Sequence, residues 1–137
     1  MGRPNAHEAL IYLMVIISAS DRDMTDVELG RIGDVVRTWP VFESFDEGRL
    51  VEVAQACQRS LAGGRSMEGV LEAARSAIPS RLHDTAYAAA FEVASSDMEM
   101  RMEERRFLQL IRQSLDVDEE TVSAIERATK ARHRSLT

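Results

Sequence analysis

The stretch Ser18-Ala19-Ser20-Asp21-Arg22-Asp23-Met24-Thr25-Asp26-Val27-Glu28 joins an apolar segment to a second segment that opens with a helix-capping signature. A related stretch recurs later as Ala94-Ser95-Ser96-Asp97-Met98-Glu99-Met100-Arg101-Met102-Glu103-Glu104. A constant offset pairs their acids: Asp21 with Asp97, Asp23 with Glu99, and Glu28 with Glu104. We therefore interpret residues 18–28 and 94–104 as the first and second acidic junctions, equivalent helix-turn-helix links in two similar halves.

The segment before the first junction is almost continuously apolar from Ala9 to Ile17. Its Ile and Val residues would also suit a buried strand, but its length and its flanking Ala and Glu favour a helix that is apolar on most faces. Such a helix belongs in the middle of a bundle. The apolar run is too short to span a bilayer.

Capping and breaking residues divide the rest of the chain into helices. Thr25-Asp26-Val27-Glu28 has the form of a capping box, so we predict that the second helix begins near Asp26 and ends before Trp39-Pro40. Gly63-Gly64 and Pro79 are expected to end the third and fourth helices. The low aromatic content of 5% also favours helix over sheet. We predict an all-α, single compact domain over residues 1–137, with a core of about 5–133, seven helices and two pseudo-symmetric halves.

Charge and cysteine content narrow the possible functions. The formal net charge of −6 argues against nonspecific binding of nucleic acid and suits a cationic partner. The single Cys57 cannot form an intramolecular disulfide, and we expect it to be a buried helix residue. The three histidines are scattered without helical ligand spacing, which argues against a zinc centre.

The acidic junctions have the composition of a site for a hard divalent cation such as Ca²⁺, Mg²⁺ or Mn²⁺, because these ions prefer carboxylate oxygens. A tight turn can fold Asp21 back towards Glu28, and Asp97 back towards Glu104. Asp23 and Glu99 would supply one more oxygen in each turn. Neither junction is an EF-hand, since the acid-to-Glu separation is too short and the loop has no glycine.

Capping explains part of the same pattern without any metal. Glu28 is the reciprocal acid of the capping box that Thr25 begins, and Ser96-Asp97-Met98-Glu99 has the same S-x-x-E form. Acids near helix N-termini are also favoured by the helix dipole. Residue types and spacing alone leave both interpretations open.

The repeat and the helix pattern together resemble the tellurite-resistance TerB family over roughly Ala9 to Ile125. The matching residues are Ser18 to Asp21 with Glu28, and Val93 to Asp97 with Glu104. Arg22 and Met98 stand where the family pattern has glycine after each Asp, which makes a left-handed turn costly there. The resemblance implies a cytoplasmic, metal-associated stress-response protein that works with partner proteins at the membrane.

These observations lead to a first hypothesis of a noncatalytic, TerB-like scaffold that binds a divalent cation at paired acidic junctions. The alternative is a metal-independent protein-interaction bundle in which the metal sites are degenerate. A dinuclear metal hydrolase would also use carboxylates, but no histidine lies near either junction. Neither a nucleophile–base set nor a phosphate-binding loop is evident in the sequence, so we expect no enzymatic activity.

Overall fold

The computed structural model describes residues 4–18, 24–64, 66–94 and 102–136. These residues form an all-α bundle, as predicted, and none of them lies in a strand. Short 3₁₀ turns at Pro40–Phe42, Glu47–Arg49 and Ser80–Leu82 precede or link the longer elements. The helices are α1 (Ala6–Ser18), α2 (Asp26–Thr38), α3 (Leu50–Ala62), α4 (Met67–Ala77), α5 (His83–Ala94), α6 (Met102–Leu115) and α7 (Glu119–Arg132).

Helix α1 is the centre of the bundle, as its continuous apolar run predicted. It packs against α5, α3 and α4, and also contacts α6 and α2. Every residue from Leu13 to Ser18 is buried, and so are Ala9, Leu10 and Ile11. Full burial of one such large apolar side chain stabilises a fold by about 1.5–3 kcal/mol, so α1 makes a large contribution to the core.

Helix α5 lies beside α1 and has small residues at the contact. Ala86, Ala89, Ala90 and Ala94 are all buried, and small side chains let two helix backbones approach closely. Tyr87 is buried in the same helix, and its hydroxyl donates a 2.8 Å hydrogen bond to Glu126 of α7. The Ala-rich helix therefore joins the central helix to the last one.

The predicted capping box at the start of α2 is confirmed. The Glu28 amide donates to Thr25 Oγ1 at 3.1 Å, and the Thr25 amide donates to Glu28 Oε1 at 2.9 Å. The helix ends at Thr38, just before Trp39 and Pro40, because a proline disfavours helical backbone at the residue before it. The sequence thus sets both ends of α2 locally.

The turn between α6 and α7 contains a non-glycine residue, Asp116, with a positive φ angle. Asp116 follows the last residue of α6 in a left-handed conformation, with φ of 55°. The Asp116 amide donates to the Gln113 carbonyl and the Val117 amide to the Arg112 carbonyl, which is the Schellman pattern. Asp118 caps α7, and hydrogen bonds from Thr121 lower the pKa of its carboxyl group.

Replacing Asp116 by glycine is expected to raise the free energy of unfolding by about 1 kcal/mol, because glycine adopts a left-handed backbone without the steric cost of a Cβ atom. Urea denaturation of both proteins measures the difference. Gly64→Ala is the matched control of opposite sign: Gly64 has φ of +97° and no heavy atom within 4 Å of an added Cβ. Its substitution should destabilise the protein through the backbone alone. A loss of stability in D116G would contradict the argument.

None of the helices in the described ranges is both long and apolar enough to cross a membrane.

Candidate metal centre

Two of the six predicted ligands, Glu28 and Glu104, lie within the described residues. Each is the third residue of its helix, Glu28 in α2 and Glu104 in α6. The other four, Asp21, Asp23, Asp97 and Glu99, lie outside the described residues, so their place in the site stays a prediction. The geometry of the candidate centre therefore rests on the helices that enter and leave each junction.

Both described carboxylates are buried. Glu28 is 8% exposed and Glu104 is 5% exposed, whereas their acidic neighbours Asp26 and Glu103 are exposed. Burying an ionised carboxylate is costly unless charges or hydrogen bonds compensate it. Glu28 has such compensation in the capping box, where its Oε1 accepts from both the amide and the hydroxyl of Thr25.

The repeat seen in the sequence is present in the structure. The interval of 76 residues from Glu28 to Glu104 also carries the last residue of α1, Ser18, onto the last residue of α5, Ala94. It carries the first residue of α2 onto the first residue of α6. Many buried positions correspond as well: Leu10 with Ala86, Ile11 with Tyr87, Leu13 with Ala89, Met14 with Ala90, Val15 with Phe91, Ile17 with Val93, Ile32 with Leu108, and Val35 with Ile111.

The two halves also pack reciprocally. Helix α2 of the first half contacts α5 of the second, and α6 of the second half contacts α1 of the first. Each helix with a buried glutamate in its first turn therefore contacts the helix that leads into the junction of the other half. Each junction is therefore followed by a helix that contacts the other half.

Ser18 adds an oxygen that the sequence interpretation did not single out. Its side chain is only 2% exposed, and its Oγ has no hydrogen-bond partner among the described residues. It is the last residue of α1, where the chain enters the first junction. The alignment of the two stretches contained one sign that Ser18 is distinctive, because the equivalent residue in the second stretch is the apolar Ala94.

The histidines and the cysteine have other positions. His7 Nε2 contacts the Val41 carbonyl at 2.9 Å, His83 bridges the carbonyls of Ile78 and Leu115, and His133 pairs with Glu92. Cys57 is buried as predicted, and burial raises the pKa of its thiol to about 12. Within the described ranges, no three His, Cys, Asp or Glu side chains converge on a common point.

A comparison of the sequence with protein families shows to which family the chain belongs. The sequence profile described as Tellurite resistance protein TerB matches residues 7–130, which is most of the chain. The chain belongs to the TerB family. No curated protein and no solved structure matches it. The predicted family is therefore confirmed, and the TerB fold accounts for the all-α architecture.

The donor chemistry of this TerB chain fits a hard cation. Glu28 and Glu104 offer carboxylate oxygens, Ser18 offers a hydroxyl oxygen, and the predicted ligands between the helices are all Asp or Glu. Oxygen donors of this kind suit Ca²⁺, Mg²⁺ or Mn²⁺ better than Zn²⁺ or Cu²⁺. The buried Ser18 hydroxyl has no hydrogen-bond partner among the described residues.

Proposed function

We propose that this TerB-family chain binds a divalent cation at its two acidic junctions and that binding couples its two halves. The supporting observation is the paired burial of Glu28 and Glu104 at equivalent positions of the repeat. Capping accounts for the position of Glu28. However, a second glutamate buried at the same place in the other half indicates a role that both junctions share.

In this proposal Asp21, Asp23 and Glu28 hold one cation, and Asp97, Glu99 and Glu104 hold the other. A bound cation supplies positive charge that offsets the repulsion among three neighbouring carboxylates. Because α2 contacts α5 and α6 contacts α1, a cation held at either junction also stabilises the packing between halves. Cation binding then changes the stability or shape of the surface through which the domain contacts a partner protein.

We propose further that the domain is noncatalytic and acts as a cytoplasmic scaffold in a stress response of the tellurite-resistance type. The printed name of the family supports the connection with tellurite resistance. The net charge of −6 supports a partner other than nucleic acid. We infer that the partners are other proteins, among them membrane-associated stress-response components.

Thermal unfolding of chelator-treated protein with Ca²⁺, Mg²⁺, Mn²⁺ or Zn²⁺ tests cation binding. A cation present at 100 times its dissociation constant is expected to raise the free energy of unfolding by about 2.7 kcal/mol, which is visible as a higher midpoint. We expect a response to a hard cation and a reduced response in Glu28→Gln and Glu104→Gln. Glutamine preserves the capping box, since it accepts from the Thr25 amide as glutamate does.

Glu103→Gln is the matched control for Glu104→Gln. It removes the same charge from the adjacent residue of α6, but that side chain is exposed. The E103Q variant should keep the full response to cation. If all three variants respond equally to every cation, the buried glutamates are not ligands. If the unsubstituted protein does not respond at all, the cation proposal is wrong.

The alternative is a metal-independent interaction bundle, and one observation favours it. Val27 is 64% exposed and Met102 is 82% exposed, and both lie in the first turn of a helix that leaves an acidic junction. Exposed apolar residues at related places in two halves suit contact with another protein. This alternative predicts no response to cation, and a partner interaction that Val27→Ser or Met102→Ser weakens with or without chelator.

A further inference from the structure

The side chain of His83 lies between two backbone carbonyls that come from distant parts of the chain. Its Nε2 is 2.8 Å from the Ile78 carbonyl oxygen, and its Nδ1 is 3.1 Å from the Leu115 carbonyl oxygen. Ile78 caps the end of α4, and Leu115 is the last residue of α6. The imidazole ring therefore joins the ends of two helices to the first residue of α5.

Two carbonyl contacts require two hydrogens on the His83 ring. A carbonyl oxygen accepts hydrogen bonds but cannot donate one, and neutral imidazole has a hydrogen on only one of its nitrogens. The other nitrogen would then point a lone pair at the second carbonyl oxygen, whereas imidazolium donates to both. Ile78 and Leu115 are each only 2% exposed, so little water can reach their carbonyls to replace a missing donor. The double contact therefore fits the charged ring.

The helix ends around His83 also favour a positive charge. The last carbonyls of a helix carry a partial negative charge, and the ring contacts such carbonyls from both α4 and α6. The start of α5 has the opposite effect on its own first residue. However, His83 follows the 3₁₀ turn Ser80–Leu82, and its amide donates to the Ser80 carbonyl. Two helix ends that favour the charge therefore act against one that opposes it.

Charged side chains near His83 almost balance one another. The open cleft beside the ring is lined by three carboxylates and two guanidinium groups, those of Asp84, Asp116, Asp118, Arg75 and Arg81. Arg112 of α6 adds a further positive charge near Asp118 and contacts the Val117 carbonyl at 3.5 Å. The two carbonyls, and not the surrounding side chains, are therefore what favours the imidazolium.

We propose that His83 is a proton-operated latch that holds the end of α6 against the link between α4 and α5. With the ring protonated, both carbonyls have a donor, and the turn that begins at Asp116 is fixed to the bundle. When the ring loses its proton, one carbonyl loses its donor and the end of α6 is released. Protonation thus stabilises the folded state, and this contribution is present at about pH 6 and is lost as the pH rises through the range in which histidine changes charge. The latch does not depend on cation binding at the acidic junctions.

Nitrogen-15 NMR of the unsubstituted protein, with chelator present, measures the protonation of the ring directly. It distinguishes imidazolium, in which both ring nitrogens carry hydrogen, from the two neutral forms, in which one nitrogen carries none. At about pH 7, where a histidine in a free peptide is mostly neutral, both nitrogens of His83 should still carry hydrogen. A neutral His83 ring at this pH would overturn the proposal.

Urea denaturation at about pH 6 and about pH 8 measures the effect of the latch on stability. Over this interval the unfolding equilibrium constant of the unsubstituted protein should rise about tenfold more than that of His83→Gln, because the unfolded chain releases a proton that the folded protein retains. Glutamine can donate to one carbonyl but carries no charge. His133, which pairs with Glu92, is present in both proteins, so its contribution cancels.

His7→Gln is the matched control. Among the described residues, the His7 ring contacts a single carbonyl, that of Val41 at 2.9 Å, and neutral imidazole satisfies it with its one hydrogen. This substitution should change the pH dependence less than about twofold.

His83→Asn supports the test if His83→Gln does not fold, because its shorter amide suits the Leu115 carbonyl on the Nδ1 side. If the unsubstituted protein and the folded His83 variant show the same pH dependence, the latch does not exist. If neither variant folds, the NMR measurement on the unsubstituted protein decides alone.

Discussion

Replacing Ile11 by alanine is expected to lower the free energy of unfolding by about 4 kcal/mol. Ile11 is completely buried in α1, the helix that contacts α2, α3, α4, α5 and α6. Removing its branched side chain loses the transfer free energy of the missing atoms and leaves a cavity that surrounding helices fill only in part, at a cost of roughly 2–5 kcal/mol. Urea denaturation at 25 °C measures the change.

Two further variants show whether the cost comes from burial. Ile11→Val removes one methylene group and should cost about 1 kcal/mol. Val51→Ala removes apolar atoms from α3 at a side chain that is half exposed, and it should change stability by less than about 0.5 kcal/mol. A cost below about 1.5 kcal/mol for I11A would show that α1 is not the centre of the core.

The central helix and the ends of α2 were predictable because their signals are local. The apolar run from Ala9 to Ile17 has no polar face to expose, and Thr25 and Glu28 form their capping box within one helical turn. Pro40 ends α2 through the geometry of its own ring. Local signals of this kind do not depend on how the helices later pack.

Other features depend on local exceptions or tertiary packing. Asp116 adopts the left-handed conformation that glycine usually provides, so the end of α6 had no clear signal in the sequence. The burial of Glu104 beside the exposed Glu103 follows from the packing of α6 against α1 and α5. The absence of a hydrogen-bond partner for the Ser18 hydroxyl among the described residues likewise depends on its surroundings in the fold.

The equivalence of the two junction glutamates was predictable from the sequence, whereas the metal centre itself stays a prediction. The repeat identified Glu28 and Glu104 as equivalent, and the structure confirms that they occupy equal positions in their helices. Asp21, Asp23, Asp97 and Glu99 remain predicted ligands, because spacing alone does not distinguish a ligand from a cap. Substitutions that preserve the cap, such as glutamine at Glu28, are therefore the informative ones.

Raising the pH above 9 is expected to destabilise the protein through Cys57. Burial raises the pKa of this thiol from 9.0 to about 12, so the folded state retains the proton while the unfolded state releases it. The contribution to stability is complete below pH 9 and is lost as the pH rises towards 12. Each pH unit in this window costs about 1.4 kcal/mol. Urea denaturation at pH 8, 9, 10 and 10.5 measures the slope.

Cys57→Ala isolates the thiol: it should lower stability at pH 8 through lost packing, but flatten the decline above pH 9. Tyr87→Phe is the parallel control, because burial and the hydrogen bond to Glu126 also raise the pKa of Tyr87 above its ordinary value of 10.0.

The burial of Cys57 also predicts that iodoacetamide modifies this thiol at pH 9 a few hundredfold more slowly than an exposed thiol, on the order set by the smaller thiolate fraction. Modification at the rate of an exposed cysteine, or an equal pH slope in C57A, would show that the thiol is not protected by the core between α1 and α3.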